Sequence, residues 1–260
     1  MDYTLNVHGL LMDLRVPQVM GILNATPDSF YAESRSQTET EIVKRCQQIV
    51  SEGGTIIDVG ACSTRPGAEV ASEAEEMERL RFALAVVRRE QPAAVVSVDT
   101  FRPDVARMAV EEFGVDIIND VSEGTPEMFR MVARLGIPYI LMSVQPTMRD
   151  TLLVFAQKVQ QLRDFGAKDI ILDPGFGFGK TLEQNYQMMN ELEQLRVMEL
   201  PVLVGVSRKS MIYKKFDCKP DEALNGTTSL NTIALMKGAD ILRVHDVREA
   251  VECVQIVNSL

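Results

Sequence analysis

The sequence predicts a (β/α)8 TIM barrel whose bottom is capped by an N-terminal β-hairpin. Three observations predict it. Short β-branched runs alternate with segments of helical periodicity along 260 residues, close to the ~250 that eight strand–helix units need. Most of those runs are continuously apolar, as strands covered on both faces should be. Nearly every run also ends in polar residues that the run itself does not need. A closed barrel gathers such ends at one mouth, whereas an open sheet spreads them along a line.

The elements follow in order. Tyr3–Asn6 and Leu10–Leu14, around His8-Gly9, read as the capping hairpin, with His8 solvated in its turn. Strands are expected near Val16–Leu23, Thr55–Val59, Ala94–Val98, Asp116–Ile118, Tyr139–Met142, Ile170–Leu172, Val202–Val206 and Ile241–Val244. Between them run apolar stripes at helical spacing: Ile42, Cys46, Ile49 and Val50; Met77, Leu80, Leu84 and Val87; Leu152, Phe155, Val159 and Leu162; and Leu182, Tyr186 and Met189. Thr125-Pro126 is an N-cap followed by proline at the first helical position, and Gly238 suits the residue just past a helix ending near Lys237.

No linker, repeat or low-complexity tract divides residues 1–260, which read as one domain. Hydrophobic residues make up 46% and charged residues 25%, the balance of an ordinary globular protein. No apolar run approaches the ~20 residues of a membrane helix. The N-terminus lacks the basic start and apolar stretch of a signal peptide, so a cytoplasmic location is expected. Cys46, Cys62, Cys218 and Cys253 form no Cys-x-x-Cys pair and read as reduced thiols. A net charge of −10 without a Lys/Arg block argues against nucleic acid. With His8 and His245 the only histidines, a His-rich metal site is excluded.

The polar strand ends are Asn24, Asp58, Asp99-Thr100, Asn119-Asp120, Asp173, Ser207-Arg208-Lys209-Ser210 and Arg243-Val244-His245-Asp246. Asp99, Asn119 and Asp173 offer acceptors and an amide, which suit an aminopyrimidinone ring presenting several N–H donors. Arg65, Lys209, Arg243 and His245 supply cationic donors for a pyrophosphate or carboxylate. Asn24 could hold a hard cation such as magnesium beside phosphate oxygens. Asp58 and Asp120 could equally serve neighbouring backbone. Gly179-Lys180-Thr181 imitates the end of a P-loop, but Pro174 stands where that motif needs glycine.

Taken together, Asn24-Ala25-Thr26-Pro27-Asp28-Ser29-Phe30, Ser63-Thr64-Arg65-Pro66-Gly67, Ser97-Val98-Asp99-Thr100, Ile117-Ile118-Asn119-Asp120, Leu172-Asp173-Pro174-Gly175-Phe176-Gly177-Phe178-Gly179-Lys180, Ser207-Arg208-Lys209-Ser210 and Arg243-Val244-His245-Asp246-Val247 resemble the dihydropteroate synthase family. The resemblance implies condensation of 6-hydroxymethyl-7,8-dihydropterin pyrophosphate with 4-aminobenzoate, by an SN1-like displacement in which pyrophosphate departs first. It implies that Asp99, Asn119, Asp173 and Lys209 bind the pterin and that Asn24 coordinates Mg2+. Asn24, Thr64, Arg65, Arg243 and His245 would hold the pyrophosphate, while Thr64, Arg65, Pro66, Gly177, Phe178 and Ser210 shape the aminobenzoate end. A sulfonamide-target enzyme and a homodimer are implied too.

Two runs depart from the family pattern. Ala32 stands where the first loop usually has aspartate, so a loop carboxylate would come from Glu33, and Glu33→Ala is expected to slow turnover more than it weakens pterin binding. The usual His-Met-Gln-Gly run after the fifth strand reads Ser143-Val144-Gln145-Pro146. Two other readings compete. A pterin-dependent methyltransferase would lack the Ser-Thr-Arg-Pro-Gly loop, Lys209 and the Arg243/His245 pair. A non-catalytic paralogue would bind pterin or pyrophosphate without turnover.

Overall fold

A computed structural model describes residues 3–25, 35–62 and 71–260. Strands β1 (Thr4–Val7) and β2 (Leu10–Asp13) pair as the expected antiparallel hairpin. Eight more strands form one parallel sheet: β3 (Gln18–Asn24), β4 (Ile56–Gly60), β5 (Val95–Asp99), β6 (Ile117–Asp120), β7 (Tyr139–Met142), β8 (Ile170–Asp173), β9 (Leu203–Val204) and β10 (Ile241–Val244). Strands β3 to β8 are neighbours in sequence and in space, and β10 returns to lie between β3 and β9. A parallel bridge from Leu172 to Val202 closes the ring between β8 and β9, where the Leu172 N–H donates to the Pro201 carbonyl at 2.9 Å. The molecule is the expected (β/α)8 barrel.

Helices α1 (Arg35–Ser51), α2 (Glu73–Glu90), α3 (Pro103–Phe113), α4 (Pro126–Leu135), α5 (Met148–Asp164), α6 (Leu182–Asn190), α7 (Ser210–Phe216), α8 (Leu224–Met236) and α9 (Val247–Val257) surround it. Most of each stripe is buried as the periodicity requires: Ile42, Cys46 and Ile49 on α1, Leu80, Leu84 and Val87 on α2, Phe155, Val159 and Leu162 on α5; Val50, expected in the α1 stripe, is exposed instead. Thr125 caps α4 by accepting from the Met128 N–H at 3.3 Å, with Pro126 at the first helical position. Gly238 follows α8 at φ 96°, which L side chains resist.

Strand boundaries shift for identifiable reasons. β3 begins at Gln18, because Pro17 has no N–H to give the ladder. The expected Val202–Val206 strand shortens to Leu203–Val204. The Val202 N–H is taken by Asp240 Oδ2 at 2.8 Å, and beyond Gly205 the chain turns away until Arg208 reaches φ 55°.

Alternation inside the barrel divides it into storeys, since residues two apart share a face. At the bottom each strand gives one aliphatic side chain: Met20, Ile56, Val95, Ile117, Ile140, Ile171, Leu203 and Ile241. Leu5, Val7 and Leu14 of the hairpin plug this layer from below. Two residues on, the same face carries Ile22, Asp58, Ser97, Asn119, Met142, Asp173, Gly205 and Arg243. Aliphatic packing thus gives way to polar groups one storey up.

The hairpin turn corrects one expectation. His8 is half-exposed but not merely solvated, because its Nδ1 lies 2.6 Å from Asp116 Oδ1. Asp116 Oδ2 in turn accepts from Arg88 Nη2 and the Val96 N–H, each at 2.8 Å. The turn is therefore tied to the barrel rather than hanging free.

Candidate active site

Register assembles the mouth. Asn24 pairs with Gly60, Gly60 with Asp99, and Asp99 with Asn119, so one row crosses four adjacent strands. A β-carbon at Gly60 would touch Asp99 Cβ at 3.6 Å and Asn24 Oδ1 at 3.9 Å, which places both side chains against that gap. Two residues before Gly60 on the same face, Asp58 Oδ2 accepts from Asn119 Nδ2 at 3.2 Å and from Arg243 Nε at 2.7 Å. The second arm of Arg243, Nη2, donates to Asp99 Oδ2 at 2.7 Å. One guanidinium from β10 therefore bridges carboxylates of β4 and β5.

The pocket is short of partners. Asp58 Oδ1, Asn119 Oδ1 and Ser97 Oγ are buried without a hydrogen-bond partner among the described residues. A buried polar atom left in that state costs about 1–3 kcal/mol, so three in one layer point to a ligand that satisfies them.

Across the mouth, Asp173 ends β8 and accepts from the Gly175 N–H at 2.8 Å. Burial raises its pKa, against the pull of Lys209. Lys209 donates to the Phe176 carbonyl at 2.5 Å and sits 4.7 Å from the centre of the Phe178 ring. Burial lowers its pKa to about 8, opposed by Asp173. Asp99 is pushed up to about 7 by burial, with Arg243 opposing and Asp58 reinforcing the rise. Burial also disfavours the charged form of Arg243, but Asp58 and Asp99 outweigh it and raise its pKa. His245 stands at the rim with Nδ1 3.1 Å from Ser207 Oγ, its pKa lowered to about 4 by burial and then by Arg243, so near pH 7 it is a neutral imidazole and not the cationic donor expected from the sequence.

The loop after β8 is fixed from two sides. Gly175 has φ 68°, and a β-carbon there would lie 2.1 Å from the Ser143 carbonyl oxygen, so only glycine fits. The buried Asn185 accepts from the Gly177 N–H at 2.7 Å and donates to the Thr181 carbonyl at 2.7 Å. Lys180 gives its ammonium to the carbonyls of Gly175, Ser143 and Phe178 at 3.0, 3.2 and 3.3 Å. The false P-loop lysine is a clasp between two loops.

The structure thus brings Asn24, Asp99, Asn119, Asp173, Lys209, Arg243 and His245 to one mouth, with Gly177, Phe178 and Ser210 on the loops and helix start bordering it. Thr64, Arg65, Pro66 and Glu33 lie outside the described residues. Asp120 turns out to serve local structure, accepting from the Ser122 N–H and the Tyr139 hydroxyl, each at 2.8 Å. Asp58 does not, since it faces the pocket. Sequence reasoning missed Ser97, although its place two residues before Asp99 on the same face was a usable sign.

The chain matches the family model described as pterin binding enzyme over residues 20–245. It is 39% identical to the dihydropteroate synthase of Escherichia coli (strain K12), over 96% of this chain and 94% of that protein. Among solved structures it resembles the Xanthomonas albilineans dihydropteroate synthase with 4-aminobenzoic acid, at TM-score 0.92 and 31% identity, covering 100% of this chain and 98% of the other. It also resembles the Yersinia pestis dihydropteroate synthase in a sulfonamide drug complex, at TM-score 0.88 and 36% identity, covering 99% and 98%.

Proposed function

This chain belongs to the pterin binding enzyme family and acts in folate synthesis as a dihydropteroate synthase, and from that premise we propose how its mouth divides the reaction. The ring pocket is the polar storey together with Asp99, two residues above Ser97 on the same face of β5. Asp99, Asn119 and Asp173 receive the N–H donors of the pterin, and Lys209 donates to its carbonyl oxygen. The observation that carries this reading is the set of unpartnered buried atoms on Asp58, Ser97 and Asn119, which an aminopyrimidinone edge or its ordered water would satisfy.

The diphosphate end lies at the rim beside Asn24 and His245, with Arg243 lending charge and its remaining Nη1 amino group. Thr64 and Arg65 are expected to add to it from their loop. Asn24 fits a magnesium ion that arrives with its phosphates: its amide oxygen is a hard donor at an exposed strand end, and no group of three or more His, Cys, Asp or Glu suited to a metal occurs among the described residues. Magnesium, when bound, neutralises charge on the departing pyrophosphate. The methylene C–O bond breaks with its electron pair leaving on pyrophosphate. The arylamine nitrogen then forms the new C–N bond and loses a proton to water. Asp99 and Asp173 stabilise positive charge developing on the pterin, so no side-chain nucleophile is required. Gly177, Phe178 and Ser210, with Pro66, border the aminobenzoate.

A homodimer in the cytoplasm completes the proposal. No helix of the described residues is long and apolar enough to cross a membrane. The exposed Phe216 on α7, and Ile233 and Met236 on α8, supply apolar surface for a second copy, a question for sedimentation velocity. The central test is pyrophosphate release with purified protein, pterin pyrophosphate, 4-aminobenzoate and magnesium. Release dependent on aminobenzoate is expected; binding without turnover would favour the non-catalytic alternative.

A further inference from the structure

We propose that Arg45 of α1 is a positioning residue that sets Asn24 and His245 in register for the diphosphate end of the substrate. This rests on the reading of the rim given above.

The β3–β10 ladder ends at the pairs Val244 with Gly21 and Arg243 with Met20. One residue further the two strands carry Ile22 and His245, and the next rung is supplied by a side chain. Arg45 Nε donates to the Ile22 carbonyl at 3.0 Å, and its Nη2 donates to the His245 carbonyl at 2.7 Å. Its Nη1 is held by Gln48 Oε1 at 3.1 Å. All three nitrogens are engaged, and the guanidinium is planar, so the two carbonyls are fixed relative to each other as well as hydrogen-bonded. A lysine ammonium, a single rotating point, fixes no such spacing.

The two carbonyls are those that matter for the rim. His245 bears its own imidazole, and Asn24 lies two residues beyond Ile22 on the same face of β3. Arg45 also lines the rim cavity of about 430 Å³, together with Asn24, Arg208, His245 and Asp246. Helix α1 has an apolar face of its own, since Ile42, Cys46 and Ile49 are buried. Replacing the guanidinium therefore addresses the rim more than the fold.

The test compares Arg45→Met and Arg45→Lys with the unaltered chain. Calorimetry would measure binding of magnesium pyrophosphate and, separately, of the pterin alcohol that lacks the diphosphate; steady-state kinetics would give KM for both substrates. For Arg45→Met we expect pyrophosphate affinity to fall about tenfold and KM for pterin pyrophosphate to rise similarly, because the Ile22 and His245 carbonyls lose the bonds that space Asn24 and His245. Affinity for the pterin alcohol and KM for aminobenzoate should stay within about twofold, with Arg45→Lys intermediate. Equal losses for every ligand, or none, overturn the proposal. Should Arg45→Met fail to fold, native pyrophosphate affinity in Arg45→Lys overturns it as well. Asn24→Ala and His245→Ala separate the two readings: if neither weakens pyrophosphate, the rim assignment falls and this inference with it, whereas weakening in both but not in Arg45→Met removes the inference alone.

Discussion

Burial sets the charge state of the pocket before any substrate arrives. Asp99 is raised to about 7 and Lys209 lowered to about 8 chiefly because each is removed from water. A carboxyl group accepts two ring N–H bonds well only when ionised, so pterin affinity should rise as pH climbs through about 7. Lys209 loses its charge above about 8, and affinity should then fall. The expected kcat/KM profile for pterin pyrophosphate is a bell with its maximum between these limits, and Asp99→Asn should change the acid limb, leaving only the part carried by Asp173, while lowering the plateau. A profile flat from pH 6 to 9 would contradict the assignment. Asp173→Ala and Lys209→Ala should each lower kcat/KM at least about tenfold, with unchanged circular dichroism, because each deletes a charge-assisted contact worth about 1.5–3 kcal/mol. The reactive residue types were legible in the sequence. Their pairing was not: that Arg243 spends two donors on Asp58 and Asp99 depends on three strands meeting in space.

At the scale of elements, the strands were legible because a doubly covered strand must be apolar on both faces. Tyr139–Met142 and Ile241–Val244 occur as expected. What escaped were features set by tertiary hydrogen bonds or unusual torsions, such as the short β9 and the left-handed Arg208 and Glu123. Glu123 shows the consequence. Its carboxylate accepts from the Val144 N–H at 2.9 Å and from Gln145 Nε2 at 3.2 Å, so the departing run Ser143-Val144-Gln145-Pro146 has a brace from the loop after β6. The loop after β8 has its own, Asn185. Asn185→Ala frees the Gly177 N–H and should loosen the border proposed for aminobenzoate, raising KM for aminobenzoate about tenfold, in line with the 1–3 kcal/mol of a buried group left unpaired. Pterin affinity, measured by calorimetry, should hold within about twofold. A matching loss of both would make Asn185 a fold residue only.

For the whole molecule, the informative contrast is vertical. The chain carries net charge −10, yet Lys209 and Arg243 stand together at the mouth, while the far end of the same strands is aliphatic and closed by the hairpin. Stability and chemistry therefore occupy opposite ends of the barrel, as the fold generally arranges them. Leu5 tests that separation. It is 1% exposed and packs beneath Met20, Ile56 and Ile241, so Leu5→Ala opens a cavity under the bottom layer and should cost about 2–5 kcal/mol in urea unfolding. The polar storey stands one layer above on strands whose ladders are untouched. kcat/KM for both substrates should consequently remain within about twofold at 25 °C, although the variant melts earlier. A variant that keeps its stability would show the hairpin to be a loose cover; one that loses activity in proportion to stability would show that the plug and the mouth are mechanically coupled through the barrel wall.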